Sequence, residues 1–588
     1  MHHNMKRVIG LILVLVLLTT LAACAPGGST TTTTTRSTTA GPTTTATTTE
    51  ASNIPAYLNF DSELPLIKEG EKISLSVIVA GDATFGDPKK VWFWEFVKRE
   101  MNLTMDVEVT LDNKTYVSLA FASKNLPDLL LCQLTTADIV RYGQDEGQLI
   151  PWNNTLNDTY MPNLNRIFNE HPEWLSLVST SDGMMYSAPR INDTVTITGV
   201  NLTGSPNYMI NQTWLNELNL KAPTNLDDLL TVLRAFKTMG DKVVPLGGGY
   251  EAVSPGYYLL NAFGYLGTDT KGFQVCTRNG KVVFPFGDRE VFGEYLKLMH
   301  QLYQEQLISP DYFTLDATAI KAQLAENLIG IYPGSASTDL SDAGDFKNFW
   351  GAAPLTSPYN AVRQWKQNSN GITIGQCSLS STCAYPEAAS RFVDWFYEET
   401  SSNYLLAWIG PSDQDKHLLY DNMISGYTFV PETGARNYVD VKNGRFASAG
   451  ECVKGSVAGF TERFGYAVRK TFAGYNLNGM ADRYVELVYD ANNATQGWHW
   501  SLYSVQENLM QYLKTDYPHI IFLNQEDNTD ANDLKVALES YATQEIAKFI
   551  IGERALTDQE LSAYFNTLQA MGFDDYLAYY ADYYANLQ

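Results

Sequence analysis

Ile73-Ser74-Leu75-Ser76-Val77-Ile78-Val79-Ala80 alternates and is rich in β-branched residues, the signature of a strand. Gly81-Asp82 ends it, and Lys89 to Met101 carries helical periodicity. Met105 to Thr110 predicts a second strand and Thr115 to Ser123 a helix. Leu126-Pro127-Asp128 then punctuates before the short apolar run Leu129 to Cys132, and Asp138 to Glu146 is again helical. Strands alternating with helices predict an α/β domain with a largely parallel sheet. Ligands of such sheets sit at loops beyond the carboxyl ends of strands. That directs attention to residues 81–88 and 133–136.

The pattern restarts after Asp182-Gly183-Met184-Met185-Tyr186-Ser187-Ala188-Pro189. Residues 195–200 and 208–211 predict strands, and Trp214 opens a helix. Thr224, followed by Asp227 and Asp228, predicts a Thr-capped helix through Met239, with acids in its first turn. Leu246 to Tyr250 is a glycine-bearing loop. Helices are predicted at 257–263 and 289–306, and a strand at 328–332. Residues 353–355 and 371–375 predict returning strands, and Pro386 to Glu399 a helix. From Ser402 onward the chain reads as mainly helical, with loops at 410–455 and 523–531.

The 588 residues exceed one ordinary domain. A net charge of −24 repels phosphate backbones and argues against nucleic acid as a partner. Aromatic residues make up 12% of the chain, a surplus that needs a reason. At the N-terminus, Lys6-Arg7 precedes the apolar run Val8 to Leu18. That is the pattern of a secretory signal, and the run is shorter than the roughly 20 residues of a spanning helix. Leu21-Ala22-Ala23-Cys24 resembles a bacterial lipobox. On that reading residues 1–23 are a signal peptide, Cys24 is the lipidated first residue, and the mature charge falls to −26 as Lys6 and Arg7 leave. The competing reading is a plain signal peptide with an incidental cysteine. Residues 24–55 are then a Thr-rich tether with no apolar periodicity. Of the other cysteines, Cys377 and Cys383 are close enough for a loop disulfide, and Cys132 reads as a buried thiol.

Several segments together resemble a known family. They are Phe121 to Asp128, Gly147 to Trp152, Asp182 to Pro189, Met209 to Leu215 with Ala222 to Asp228, Pro386 to Tyr397, Phe549 to Glu553 and Met571 to Phe573. In this order they resemble the lipid-anchored extracellular solute-binding proteins of sugar ABC importers, of the large oligosaccharide-binding type of Gram-positive bacteria. The resemblance implies two α/β lobes joined by crossing hinge segments (a type II periplasmic-binding-protein-like fold). An oligosaccharide would be clamped between the lobes and delivered to permease subunits by a monomer. The implied division is lobe I at 71–190, lobe II at 191–352, a return to lobe I at 353–402, and a helical remainder at 403–588, mainly in lobe II and hinge. The chain departs from the family at Trp408 to Asp415, where a Gly-rich turn is usual.

A sugar offers hydroxyls at its edge and C–H groups on its faces, so acids and amides bond the edge while rings cover the faces. The candidates at predicted strand ends are Asp82, Trp92, Gln133, Tyr250, Glu251, Trp350, Trp365, Asn368 and Trp408. Core packing is the competing reading of each Trp, and a turn or cap that of Asp82. Trp498 and Trp500 flank His499 and resemble a groove-lining set, or pack between helices.

No mature histidines stand at zinc spacing, and no P-loop or G-x-S-x-G elbow appears. No metal or cofactor is therefore expected. Asn528, Asp530, Asn532 and Glu539 mimic parts of a calcium loop, but Asp533 stands where glycine is required, and a helix cap fits better. The chain reads as a binder without catalysis. A peptide-binding protein and a glycoside hydrolase remain as alternatives, since a hydrolase needs only two suitably spaced carboxylates.

Overall fold

The computed structural model describes residues 54–81, 87–192, 208–334, 336–340, 345–366, 372–399 and 517–587, with short pieces at 403, 406, 427–430, 435–440, 444–445, 474–476, 500 and 508–514. The strand Ile73–Ala80 is the axis of the first sheet. It pairs in parallel with Leu103–Thr110, from Ile73↔Leu103 to Ala80↔Thr110, and with Leu129–Leu131 on its other side. Ser378–Ser380 comes back antiparallel to Leu129–Leu131, and Leu149–Ile150 closes the edge. Asp128 explains the Leu-Pro-Asp punctuation. One carboxylate oxygen accepts from both the backbone N–H and the hydroxyl of Ser76 at 2.8 Å, pinning the start of one strand to its neighbour.

A second sheet runs Phe349–Gly351, Met209–Asn211, Ile329–Tyr332, Val244–Leu246. Only the last two strands are parallel; Met209–Asn211 is antiparallel to both of its neighbours. Each sheet has its own hydrophobic core. The first holds Leu75, Val77, Phe93, Leu130 and Trp395; the second holds Ile210, Leu246, Phe292, Tyr564 and Phe573. The chain therefore has two lobes. The long helix Gln525–Ile551 and the helices Asp558–Ala570 and Phe573–Leu587 all pack on the second core.

The chain crosses between the cores several times. Arg190–Asn192 pairs antiparallel with Ile372–Thr373 and in parallel with Gly474–Asn476, giving a small crossing sheet. A further crossing is residues 517–523, where Tyr517 and Leu523 belong to the second core and Ile520 and Phe522 to the first.

Several expected elements differ from those observed. The helix from Leu226 is capped by Asn225, whose side chain accepts from the Asp228 N–H, rather than by Thr224, which bonds the Asp228 carboxylate instead. No strand forms at 353–355; Ala352 and Leu355 pack in the second core, as does Trp365, and the first sheet is re-entered only at Ser378–Ser380. Residues 523–531 are not a loop. Asn524 accepts from the Asp527 N–H and starts the helix Gln525–Ile551, so the stretch that mimics a calcium loop is helical. The part after Ser402 contains the strands Tyr427–Val430, Ala435–Asp440, Gly444–Arg445, Gly474–Asn476 and Leu513–Lys514 among its described residues. Cys377 and Cys383 are both buried and are not joined to each other. The expected strand at 195–200 lies outside the described residues.

Candidate functional site

The carboxyl edge of the first sheet is built by a chain of backbone and side-chain bonds. Gly81 N–H donates to Thr110 O at 2.8 Å, holding the ends of two parallel strands level. Two residues on, Asp112 caps the helix Asn113–Ser123 by accepting from the Thr115 N–H, and hydrogen bonding from Thr115, its side chain first and then its N–H, lowers the Asp112 carboxyl pKa. The next residue, Asn113, clamps Gln133. Its amide donates to Gln133 O at 2.5 Å and its carbonyl accepts the Gln133 N–H at 3.0 Å. The Gln133 side chain is left exposed at the strand end. A Thr135–Asp138 capping box fixes the helix that follows.

This edge is tied to the crossing strands through Gly375. Leu134 N–H donates to Gly375 O at 2.8 Å, and Gly375 N–H donates to Ser187 Oγ at 2.7 Å. Gly375 has φ +87°, and a Cβ there would lie 2.0 Å from Leu134 O, so only glycine allows this approach.

On the second lobe the matching edge is Gly247–Glu251. Gly247 N–H donates to Ile331 O, and Tyr250 N–H donates to Tyr312 O. Glu251 is exposed and pairs with Lys271 at 2.5 Å. Near the end of the neighbouring strand, Tyr332 donates to Asp339 at 2.8 Å. On the edge strand, Trp350 is half-buried, and its ring meets Trp500 edge-on with centroids 5.0 Å apart. The Trp500 indole N–H donates to Phe349 O at 2.6 Å, and Lys347 sits 6.0 Å from its ring. A residue 150 positions later thus fixes the orientation of this aromatic corner.

Two candidates prove to be core residues. Trp365 is 1% exposed and enclosed by Tyr208, Tyr257 and Tyr258, so neither ring face is open to a ligand. Tyr250 is buried against Tyr312 and Phe313, with Lys271 over its ring. Gln133 and Glu251 keep exposed side chains just beyond strand ends, while Trp350 keeps a half-buried one in the middle of the edge strand Phe349–Gly351. Asp82, Asn368, Trp408 and Cys24 lie outside the described residues, and of Trp92 only the backbone, opening the helix Trp92–Glu100, is described. The sequence reading passed over Asn113 and Asp339. The strand-then-cap pattern Leu111-Asp112-Asn113 is the signal that marks the former.

A separate groove of about 1000 Å³ opens between Ser176–Ser181 of the first lobe and two helices of the second. It is lined by helix surfaces rather than strand-end loops, with Tyr579, Tyr583 and five aspartates among them. Among the described residues no group of three or more His, Cys, Asp or Glu is placed to hold a metal ion, and no helix is long and apolar enough to cross a membrane.

Two lobes, each built on its own sheet and core, and a crossing sheet define the fold of the solute-binding proteins of ABC transporters. In sequence the chain is related to the fructooligosaccharide ABC transporter substrate-binding protein FusA of Streptococcus pneumoniae serotype 4. The two are 25% identical over 525 residues, which is 85% of this chain and 88% of FusA. The structure of S. pneumoniae FusA in complex with kestose superposes with a TM-score of 0.64 at 21% identity, covering 88% of this chain and 99% of that one. An HMO-binding ABC-transporter-associated solute-binding protein from Bifidobacterium longum infantis gives 0.68 at 19% identity, covering 87% and 98%. No family model matches the chain.

Proposed function

We propose that this protein is the extracellular, lipid-anchored substrate-binding component of an ABC importer, and that it captures an oligosaccharide between its lobes. The observation that carries the reading is the relation to FusA along 85% of the chain, on a two-lobed frame whose strand ends carry polar and aromatic side chains. Gln133 of the first lobe and Glu251 of the second bond sugar hydroxyls. Trp350, held by Trp500, covers a sugar face; rigid aromatic rings lose little entropy on binding. Closure of the lobes about the crossing strands buries the ligand and presents a new surface to the permease. The protein performs no chemistry on the sugar.

Cys24 carries the lipid, and residues 24–55 are the tether that lets the body reach ligand above the membrane. The lobes divide near residue 190, with the C-terminal helices serving the second lobe, and the body acts as a monomer.

A thermal-shift screen against glycans and peptides tests the reading. A bound ligand at 100 times its dissociation constant adds about 2.7 kcal/mol of stability. Oligosaccharides are expected to raise the melting temperature and peptides to leave it unchanged; a shift by peptides alone overturns the reading.

A further inference from the structure

His519 stands in the crossing segment 517–523, between the second-core residue Tyr517 and the first-core residue Ile520. Its Nε2 lies 2.6 Å from the carbonyl oxygen of Ile372, on the strand that pairs with Arg190–Asn192. A carbonyl only accepts, so the proton of the neutral ring sits on Nε2. Nδ1 is buried and has no hydrogen-bond partner among the described residues. One side chain therefore joins two separate crossings of the chain.

We propose that His519 is a proton-sensitive pin of the hinge: the neutral imidazole ties residues 517–523 to the strand Ile372–Thr373 from a buried place, and acid favours the hinge state in which the charged ring has left that place for solvent. An N–H on Nδ1 would have no acceptor among the described residues, although the Nε2–H bond to Ile372 O would persist. A buried donor without a partner costs about 1–3 kcal/mol, and more when charged.

A neighbouring charge opposes protonation of the ring. Lys366, on the strand Trp365–Lys366, is the charged side chain acting on it. Arg190 lies across the crossing sheet, in register with Thr373, and Tyr583 approaches from the C-terminal helix to donate to Ile520 O. Among the described residues no carboxylate acts on the ring. Burial, reinforced by Lys366, holds the imidazole pKa below its ordinary value, while the Ile372 carbonyl pulls the other way. The tie is complete at neutral pH and is lost as pH falls through the lowered pKa. Acidification would then loosen the crossing strands and weaken retention of ligand, a regulation that no part of the binding reading requires.

The inference rests on the reading of lobes that clamp a ligand, but its test needs none. Amide hydrogen exchange of residues 190–192 and 372–373 is followed by mass spectrometry on the full chain between about pH 8 and about pH 5, corrected for intrinsic rates. His519→Gln keeps a donor for Ile372 O and cannot take up a proton. Protection in the wild type is expected to fall several-fold on acidification and to stay level in H519Q. Equal pH dependence in both proteins overturns the proposal. Should H519Q not fold, the wild type alone decides: the absence of any acid step in these segments also overturns it. Failure here leaves glycan binding untouched, and failure of glycan binding leaves the exchange result readable.

Discussion

The carboxylate of Asp394 accepts the backbone N–H of Leu164 at 2.8 Å, across 230 residues of sequence. Its other oxygen takes the N–H and side-chain amide of Asn163. The helix Pro162–Glu170 has no side-chain cap of its own, since Met161 stands at its N-cap. Asp394, at the end of the helix Pro386–Asp394, supplies that cap from the returning segment and thereby locks the return into the first lobe.

Asp394→Ala is expected to cost about 1–3 kcal/mol for each buried N–H left unpaired, read from urea unfolding. Burial raises the Asp394 pKa from 3.8 to about 6, against the pull of the Leu164 and Asn163 bonds. The folded state thus holds this proton more tightly than the unfolded chain. Its contribution to stability is complete below the ordinary carboxyl pKa and is lost as pH rises through about 6. Asp394→Asn should remove that slope between the two values. An unchanged slope would show that another group sets it.

Trp365→Ala should destabilise the second lobe by about 3–5 kcal/mol, the range for deleting a large buried aromatic. Trp365→Phe should cost less. Chemical denaturation of the two variants checks this. A Trp365→Ala protein of wild-type stability would return the residue to the cleft.

Gln133→Ala and Trp350→Ala should each weaken oligosaccharide binding by up to about tenfold, the value of one hydrogen bond or ring contact, at an unchanged melting temperature. Calorimetric titration beside a melting curve separates the two effects. Unchanged affinity in both variants would move the ligand away from these strand ends.

Cys24→Ala should release the protein from membranes into the medium, read by fractionation of cells. Continued membrane retention of the variant would contradict the anchor.

The first sheet was legible because β-branched residues alternate in Ile73–Ala80 and because Leu126-Pro127-Asp128 marks a strand start that Asp128 then locks onto Ser76. Residues 523–531 misled because Asn and Asp serve loops and helix starts equally; Asn524 uses the second role. The aromatic rings were the least legible. Trp365 and Trp350 look alike in sequence, and their fates are set by partners far away, Tyr208, Tyr257 and Tyr258 for one and Trp500 for the other. Much of the aromatic surplus is spent in cores, as in Phe93 with Phe96, Trp395 and Phe396, or Phe284 with Tyr576 and Tyr580.

The central claim is that the cleft binds an oligosaccharide and returns it intact. Equilibrium titration of the protein with a panel that includes kestose, followed by analysis of the recovered sugar, tests it most directly. Saturable one-to-one binding of at least one oligosaccharide, recovered unchanged, is the predicted result. Binding of peptides alone, or recovery of shortened glycans with new reducing ends, would contradict the account.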